Sequence, residues 1–339
     1  MEAQRNEVRW YGVGASVVGA SHRRANQPNQ DAIRWSPREA GPAETLVLAL
    51  SDGHGGAKYF RSHTGALFAV DVAITILNDL QRTGSNESPE IDLSRVKRLA
   101  EEQIPRMLVR EWSERVTTHY KGCPLTRQET TPLLEREGPA AEEAVRNAPI
   151  LTYGATIIAV AITPSFILYL QLGDGDILTV SEAGEVSRPI PPDERLFANE
   201  TTSLCTRHAW REVRFSVQPV QATPEEHLPA LILVATDGYS NSFQDEAAFR
   251  QVGADVLALV RAEGIETVRS SLEGWLNEAS QQGSGDDITV GIIYRGVGVS
   301  PPASAAPTLV GTEAGGEDRD EPGTPEQEPQ TNQSGGEPV

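Results

Sequence analysis

Residues 154–181 read GATIIAVAITPSFILYLQLGDGDILTVS. Three short apolar runs, Gly154–Ile162, Ser165–Leu172 and Ile177–Ser181, are parted only by Thr163-Pro164 and by Gly173–Asp176. Runs of this length bounded by Pro, Gly and Asp read as consecutive β-strands joined by tight turns.

Working outward, Val8–Val18 reads as a strand that ends in a loop from Gly19 to Asn29, and Thr45–Leu50 (TLVLAL) as a short buried strand. Phe60, Thr64, Leu67, Phe68, Val72, Ile76 and Leu80 recur at helical spacing and predict a helix within Ala57–Leu80. After a polar break at Thr83–Asp92, Leu93–Tyr120 reads as a second helical region that Pro105 kinks or divides. Lys121–Pro149, rich in Pro, Glu and Arg, reads mostly as loop with a short helix near Ala140–Asn147, and Val186–Leu204 as a long loop or flap. His208–Gln218 and Leu231–Thr236 (LILVAT) are strand-like, Asp245–Arg261 and Ile265–Gln281 are amphipathic helices, and Asp287–Tyr294 (DITVGIIY) closes as a strand. Hairpins grouped together, with helices grouped in pairs, indicate sheets faced by helices rather than alternating βαβ units.

Composition narrows the function classes. The chain has 339 residues, 38% hydrophobic, and a formal net charge of −19. It holds no apolar run of about 18 residues that would cross a membrane, and its start, MEAQRNEVRWYG, lacks the charged-then-apolar pattern of a secretory signal. Two cysteines, Cys123 and Cys205, cannot build a disulfide framework, so a reducing, cytoplasmic setting is expected. Beyond about Ser300 the chain turns to Pro, Gly, Ala, Glu, Gln and Thr, with Arg319 its only basic residue, which reads as a disordered acidic tail over 297–339. The remainder is still acidic, which argues against nucleic-acid binding and favours gathering cations.

The polar signal is a set of aspartates at strand ends, each beside a glycine or another small residue. Asp52 follows TLVLALS and precedes Gly53-His54-Gly55-Gly56; Asp174 follows FILYLQLG; Asp237 follows LILVAT and precedes Gly238; Asp286 and Asp287 precede ITVGIIY; Asp31 sits in Asn29-Gln30-Asp31-Ala32. Hard cations such as Mg and Mn take oxygen ligands, strand ends hold carboxylates rigidly, and glycine lets backbone carbonyls and water come close. Any one of these aspartates could be a turn former or helix cap, but SDGHGG, GDGD, ATDG and GDDITV in one chain are hard to explain as turns. A zinc site has no support, since the cysteines are isolated and the six histidines lack HExxH spacing. Cys205 to Arg211 matches the bare C-x5-R spacing of cysteine phosphatases, without the glycines or the helix start that chemistry needs.

These pieces, with Gly154-Ala155-Thr156, resemble the PPM, or type 2C, metal-dependent protein phosphatases, prokaryotic branch, over about residues 12 to 295. The resemblance implies an α+β, four-layer α-β-β-α sandwich of two antiparallel sheets flanked by helices, spanning residues 1–296, with an insertion at about 93–149 and a flap at about 186–204. It implies two divalent cations, Mn or Mg, bridged by Asp52 with the carbonyl of Gly53, completed by Asp237 and Asp286 on one side and by Asp31 through water on the other. Asp174 matches the ligand of a weaker third metal. His54, with an ordinary imidazole pKa, would serve as general acid, and Arg24, with Arg23 or His22 as alternatives, would grip phosphate. The implied substrate is phosphoserine or phosphothreonine in a protein, with a serine/threonine kinase or its targets as partner; nucleic acid and membrane are not expected, and a monomer is. The sequence departs from the family pattern at Gln30 (often Glu), Asp176 (often Arg) and Asn241 (often Asp). Gln30 and Asn241 favour the alternative reading, a phosphatase-like module that binds a phosphoprotein or kinase with weak or no turnover.

Overall fold

The structure is a computed structural model that describes residues 7–80, 93–193, 202–220 and 227–297. The polar break at Thr83–Asp92, the Asn199-Glu200-Thr201 part of the flap and the acidic tail from residue 298 lie outside the described residues.

Eleven strands build two antiparallel sheets among the described residues. They are β1 (Val8–Val17), β2 (Ala32–Ser36), β3 (Glu39–Ala40), β4 (Leu46–Ser51), β5 (Ile157–Ile162), β6 (Phe166–Leu172), β7 (Asp176–Val180), β8 (Val186–Ser187), β9 (Arg214–Pro219), β10 (Leu231–Ala235) and β11 (Ile288–Val297). One sheet runs β3-β1-β11-β10-β7-β8 and the other β2-β4-β5-β6-β9. The hairpin reading of 154–181 holds for β5 and β6, paired Ile157↔Leu172 to Ile162↔Ile167. The Gly173–Asp176 turn then carries the chain into the opposite sheet, where β7 pairs with β10.

Strand alternation divides the apolar residues between three layers. Leu46, Leu48 and Leu50 of β4, Ile158, Val160 and Ile162 of β5, and Ile232 and Val234 of β10 fill the space between the sheets. Their neighbours Val47, Ala49, Ile157, Ala159 and Ala161 face outward, against α2 (Ser62–Asn78) and the helices after it. On the opposite outer face, Leu231, Leu233 and Ala235 meet the last two long helices of the chain. A sheet covered on both faces needs unbroken apolar strands, which is why TLVLAL and LILVAT carry no polar residue inside.

The remaining helices are α1 (Ala20–Ala25), α3 (Leu93–Arg98), α4 (Ile104–Gly122), α5 (Arg127–Glu137), α6 (Pro139–Asn147), α7 (Asp237–Ser240), α8 (Glu246–Glu263) and α9 (Ile265–Gln282). Three sequence expectations need correction. The Gly19–Asn29 loop contains α1, which ends at Asn26 in the left-handed region. The short helix expected near Ala140–Asn147 is present as α6, but the loop expected before it holds a second helix, α5, which opens on a capping box in which Thr126 and Glu129 satisfy each other's backbone N–H groups. The strand expected from His208 begins only at Arg214, after a single 3-10 turn at Ala209–Arg211. Pro105 sits in the first turn of α4, where its missing N–H costs nothing, and the division of 93–120 falls on a π-helical turn at Leu99–Gln103. Among the described residues no helix is long and apolar enough to cross a membrane.

Arg61, buried just before α2, ties α5 to the sandwich. Its Nε and Nη2 donate to Glu129 at 2.7 and 2.9 Å, and its Nη1 donates to the Cys123 carbonyl and the Tyr153 hydroxyl, both at 2.7 Å. Hydrogen bonds from Arg61 hold the Glu129 carboxyl down at about 2. Arg61→Met should lower stability by about 2 kcal/mol, because Glu129 and two oxygen acceptors lose their donor while Glu129 keeps some solvent. Urea unfolding reads this directly, and an unchanged midpoint would mean that α5 docks through its apolar face alone.

Candidate metal centre

Asp52 stands at the end of β4, and its backbone is clamped by a single residue of the neighbouring strand. Its N–H donates to Thr156 Oγ1 at 2.9 Å, its carbonyl accepts from Thr156 N at 2.8 Å, and Ser51 Oγ donates to the Thr156 carbonyl at 2.6 Å. Beyond it, Gly53 forms an isolated bridge with Ala155, and His54 N donates to the Gly154 carbonyl. The Gly154-Ala155-Thr156 motif is therefore the register mark that holds Asp52-Gly53-His54 in place.

A second clamp centres on Asp287, which is 4% exposed. Its Oδ1 accepts from Gly19 N and its Oδ2 from Gln30 N, both at 2.6 Å. One carboxylate thus joins the start of β11 to the end of β1 and to the segment carrying Asp31. Gln30 continues the chain of contacts: its Nε2 donates to Ser62 Oγ at 2.9 Å and its carbonyl accepts from Gly53 N. The glutamine that replaces the family's usual acid is here a brace. Asp31 Oδ2 accepts from Thr236 Oγ1 at 2.8 Å, which in turn accepts from Thr289 N. Asp237 begins α7 directly after β10, and a Cβ at Gly238 would stand 2.1 Å from the Asp287 carbonyl, so the turn there requires glycine.

These clamps converge three carboxylates. Asp52, Asp174 and Asp237 each place one oxygen so that all three lie within 4.8 Å of one another. At that separation two ionised carboxylates repel by about 3 kcal/mol at an effective dielectric near 20. Burial, then the charges of Asp31 and Asp237, push the Asp52 carboxyl well above its ordinary range. Burial pushes Asp31 up to about 8 despite its bonds to Thr236 and Thr289, and burial with the Asp174 charge raises Asp237 to about 6. An all-carboxylate donor set without His or Cys fits a hard divalent cation.

The other residues expected from sequence take varied places. Asp286 is half-exposed, accepts from Asp287 N at 2.8 Å and contributes charge at Asp237. His54 packs edge-on against Tyr59 with ring centroids 4.8 Å apart, and burial lowers its imidazole to about 4 rather than leaving it ordinary. Arg24 is exposed on α1, whereas the adjacent Arg23 reaches Asn277 on α9 at 2.6 Å. Asp176, at the family's arginine position, is paired with Arg188 at 2.6 Å, and Arg188 also holds Glu246. Asn241 Nδ2 donates to Asp237 Oδ2 at 3.1 Å. Cys205 is buried, beside Ser203 and before no helix of the kind a thiolate needs, and burial raises its thiol. Thr156, Thr236 and Asp287 were given no role from sequence. The signal that marks them is a polar residue flanking an otherwise apolar strand.

The family model described as protein phosphatase 2C matches residues 18–277. No curated protein matches the chain. Among solved structures, a bacterial serine phosphatase carrying a point mutation is 12% identical with a TM-score of 0.50, over 84% of this chain and 98% of that one. The catalytic domain of the serine/threonine phosphatase PstP, in complex with two manganese ions, is 15% identical with a TM-score of 0.49, over 85% and 99%. The S. agalactiae serine/threonine phosphatase is 18% identical with a TM-score of 0.47, over 84% and 99%. At 12% identity and a TM-score of 0.50, the likeness to the first of these is one of fold.

The Asp287 clamp is open to direct test. Asp287→Asn leaves one acceptor oxygen for two N–H donors, so about 2 kcal/mol of stability should be lost. Hydrogen exchange at the Gln30 and Gly19 amides should quicken more than in the β4–β5 strands, and equal protection in both proteins would show that the clamp holds nothing.

Proposed function

Because the chain belongs to the protein phosphatase 2C family of metal-dependent serine/threonine phosphatases, we propose that it hydrolyses phosphoserine and phosphothreonine in proteins at the Asp52–Asp174–Asp237 centre. The observation that carries this reading is the approach of the three carboxylate oxygens to within 4.8 Å. Two divalent cations, Mn or Mg, would be held there, and when bound they supply a nucleophilic water near neutral pH and offset phosphate charge.

In this reading Asp52, fixed by Thr156 and clustered with Asp174 and Asp237, would be the shared ligand, with the Gly53 carbonyl beside it. Asp237 and Asp286 serve one side. Asp31, buried and oriented by Thr236, would serve the other through water. Asp174, the most exposed of the cluster, is the natural ligand of a weaker third cation. Arg24 would take substrate phosphate: it is exposed on α1, which begins next to the Gly19–Asp287 bond. His54, uncharged at neutral pH, donates an N–H toward the leaving oxygen instead of giving up an imidazolium proton. A reducing cytoplasmic setting, a monomeric chain and a phosphoprotein that is a serine/threonine kinase or its target complete the proposal, and both free cysteines agree with the setting.

The test is turnover of p-nitrophenyl phosphate and a phosphothreonine peptide with Mn, with Mg and with EDTA. Activity should vanish in EDTA and fall at least about a hundredfold in Asp237→Asn, the scale of losing one group that stabilises transition-state charge. Alkylation should leave activity intact, because Cys205 is buried. Turnover that survives EDTA would overturn the proposal, and Mn binding without turnover would favour a phosphatase-like binding module instead.

A further inference from the structure

In a chain of net charge −19, a run of cations flanks the acidic centre. The segment after the flap is anchored to the centre by backbone bonds: Leu204 N donates to the Ala155 carbonyl at 2.9 Å, and Ala155 bridges to Gly53. Two such strand spacings put Leu204 about 10 Å from Gly53. From there the chain turns through Thr206, Arg207 and His208, all exposed, into the 3-10 turn Ala209–Arg211. Trp210 is gripped by two guanidinium groups, Arg106 of α4 at 3.7 Å and Arg211 at 4.9 Å from the ring centroid. On the near side, the Lys58 ammonium lies 4.8 Å from the Tyr59 ring that packs on His54, and its charge is felt at both His54 and Cys205. Many arginines elsewhere on the surface are ion-paired, among them Arg9, Arg34, Arg146, Arg188, Arg261 and Arg269. Lys58, Arg106, Arg207 and Arg211 have no carboxylate within 4 Å among the described residues.

Resting on the phosphatase reading above, we propose that Lys58, Arg106, Arg207 and Arg211 form a docking strip for acidic residues of the substrate, so that the site selects phosphopeptides with carboxylates three to six positions from the phosphorylated residue. The spacing follows from chain geometry. An extended peptide advances about 3.3 Å per residue, so the 10 Å from Gly53 to Leu204 is three residues, and the strip begins there. Charge complementarity names the occupant: the chain as a whole is acidic, and among the described residues this strip adds four cations without a carboxylate partner beside the centre, which suits an acidic peptide. The two arginines that pack over Trp210 lose little rotamer freedom when they bind a carboxylate. Exposed ion pairs are each weak, so selection comes from several together and fades with salt.

The experiment compares phosphothreonine peptides carrying Glu, Gln or Lys at the third to sixth positions on either side. It reads the ratio of kcat/KM for the Glu peptide to that for the Gln peptide, which a change at the phosphate site does not move. The ratio should be about tenfold in wild type at low salt, should approach one at 0.5 M NaCl, and should invert in R207E/R211E. R207Q, which leaves the Trp210 stack intact, should lower it part of the way, so a folding defect in the double variant does not decide the matter. A ratio near one in wild type, or one that salt and R207Q leave unchanged, overturns the docking strip. Loss of p-nitrophenyl phosphate turnover by wild type itself would instead overturn the phosphatase reading.

Discussion

Carboxylates forced together at the end of a buried sandwich set the terms for the rest of this structure. Asp52, Asp174 and Asp237 meet within 4.8 Å at the ends of strands from both sheets. Left alone, their charges oppose folding, and the raised Asp52, Asp31 and Asp237 carboxyls express that cost. For each the folded pKa lies above the unfolded one, so the folded state is penalised as pH rises above the ordinary carboxylate range. In the proposed function, the scaffold holds the cluster until cations relieve it.

The fold supplies that holding force through non-local hydrogen bonds rather than through the aspartates' own neighbours. Thr156 locks Asp52, Thr236 orients Asp31, and Asp287 fastens the Asp31 segment to β11 and the end of β1. Each bond crosses between elements distant in sequence, and each depends on the register of strands whose inner and outer faces are both buried. A one-residue slip in β4 or β5 would exchange the Leu46-Leu48-Leu50 face with the Val47-Ala49 face and carry Asp52 away from Thr156. Core packing and site geometry are in this sense the same constraint.

Much of this was legible in the sequence. The strands were readable because a sheet buried on both sides needs uninterrupted apolar runs, and the cluster because aspartates recur beside glycine where those runs stop. The helix α5 carried a signal of its own, the Thr126-x-x-Glu129 capping box, masked by the Pro, Glu and Arg content around it. What could not be read depends on tertiary pairing. Asp176, in place of an arginine, pairs with Arg188, and Gln30, in place of an acid, bonds to Ser62, Asp287 and Gly53, and neither set of contacts has a mark in the local sequence. Burial of His54 against Tyr59, which lowers its imidazole, likewise has no local sequence mark.

The carboxylate cluster is costly alone, and the proposed function requires that cations make it stabilising. The most direct measurement is thermal unfolding of wild type and Asp52→Asn, each in EDTA and in Mn at a hundredfold excess over its dissociation constant for wild type. Wild type should gain about 5 °C or more with Mn, while Asp52→Asn should melt above wild type in EDTA, since one repelling charge is gone, and gain little from Mn. A variant that melts below wild type in EDTA and is stabilised by Mn as strongly as wild type would contradict the claim that Asp52 is the centre of a cation site.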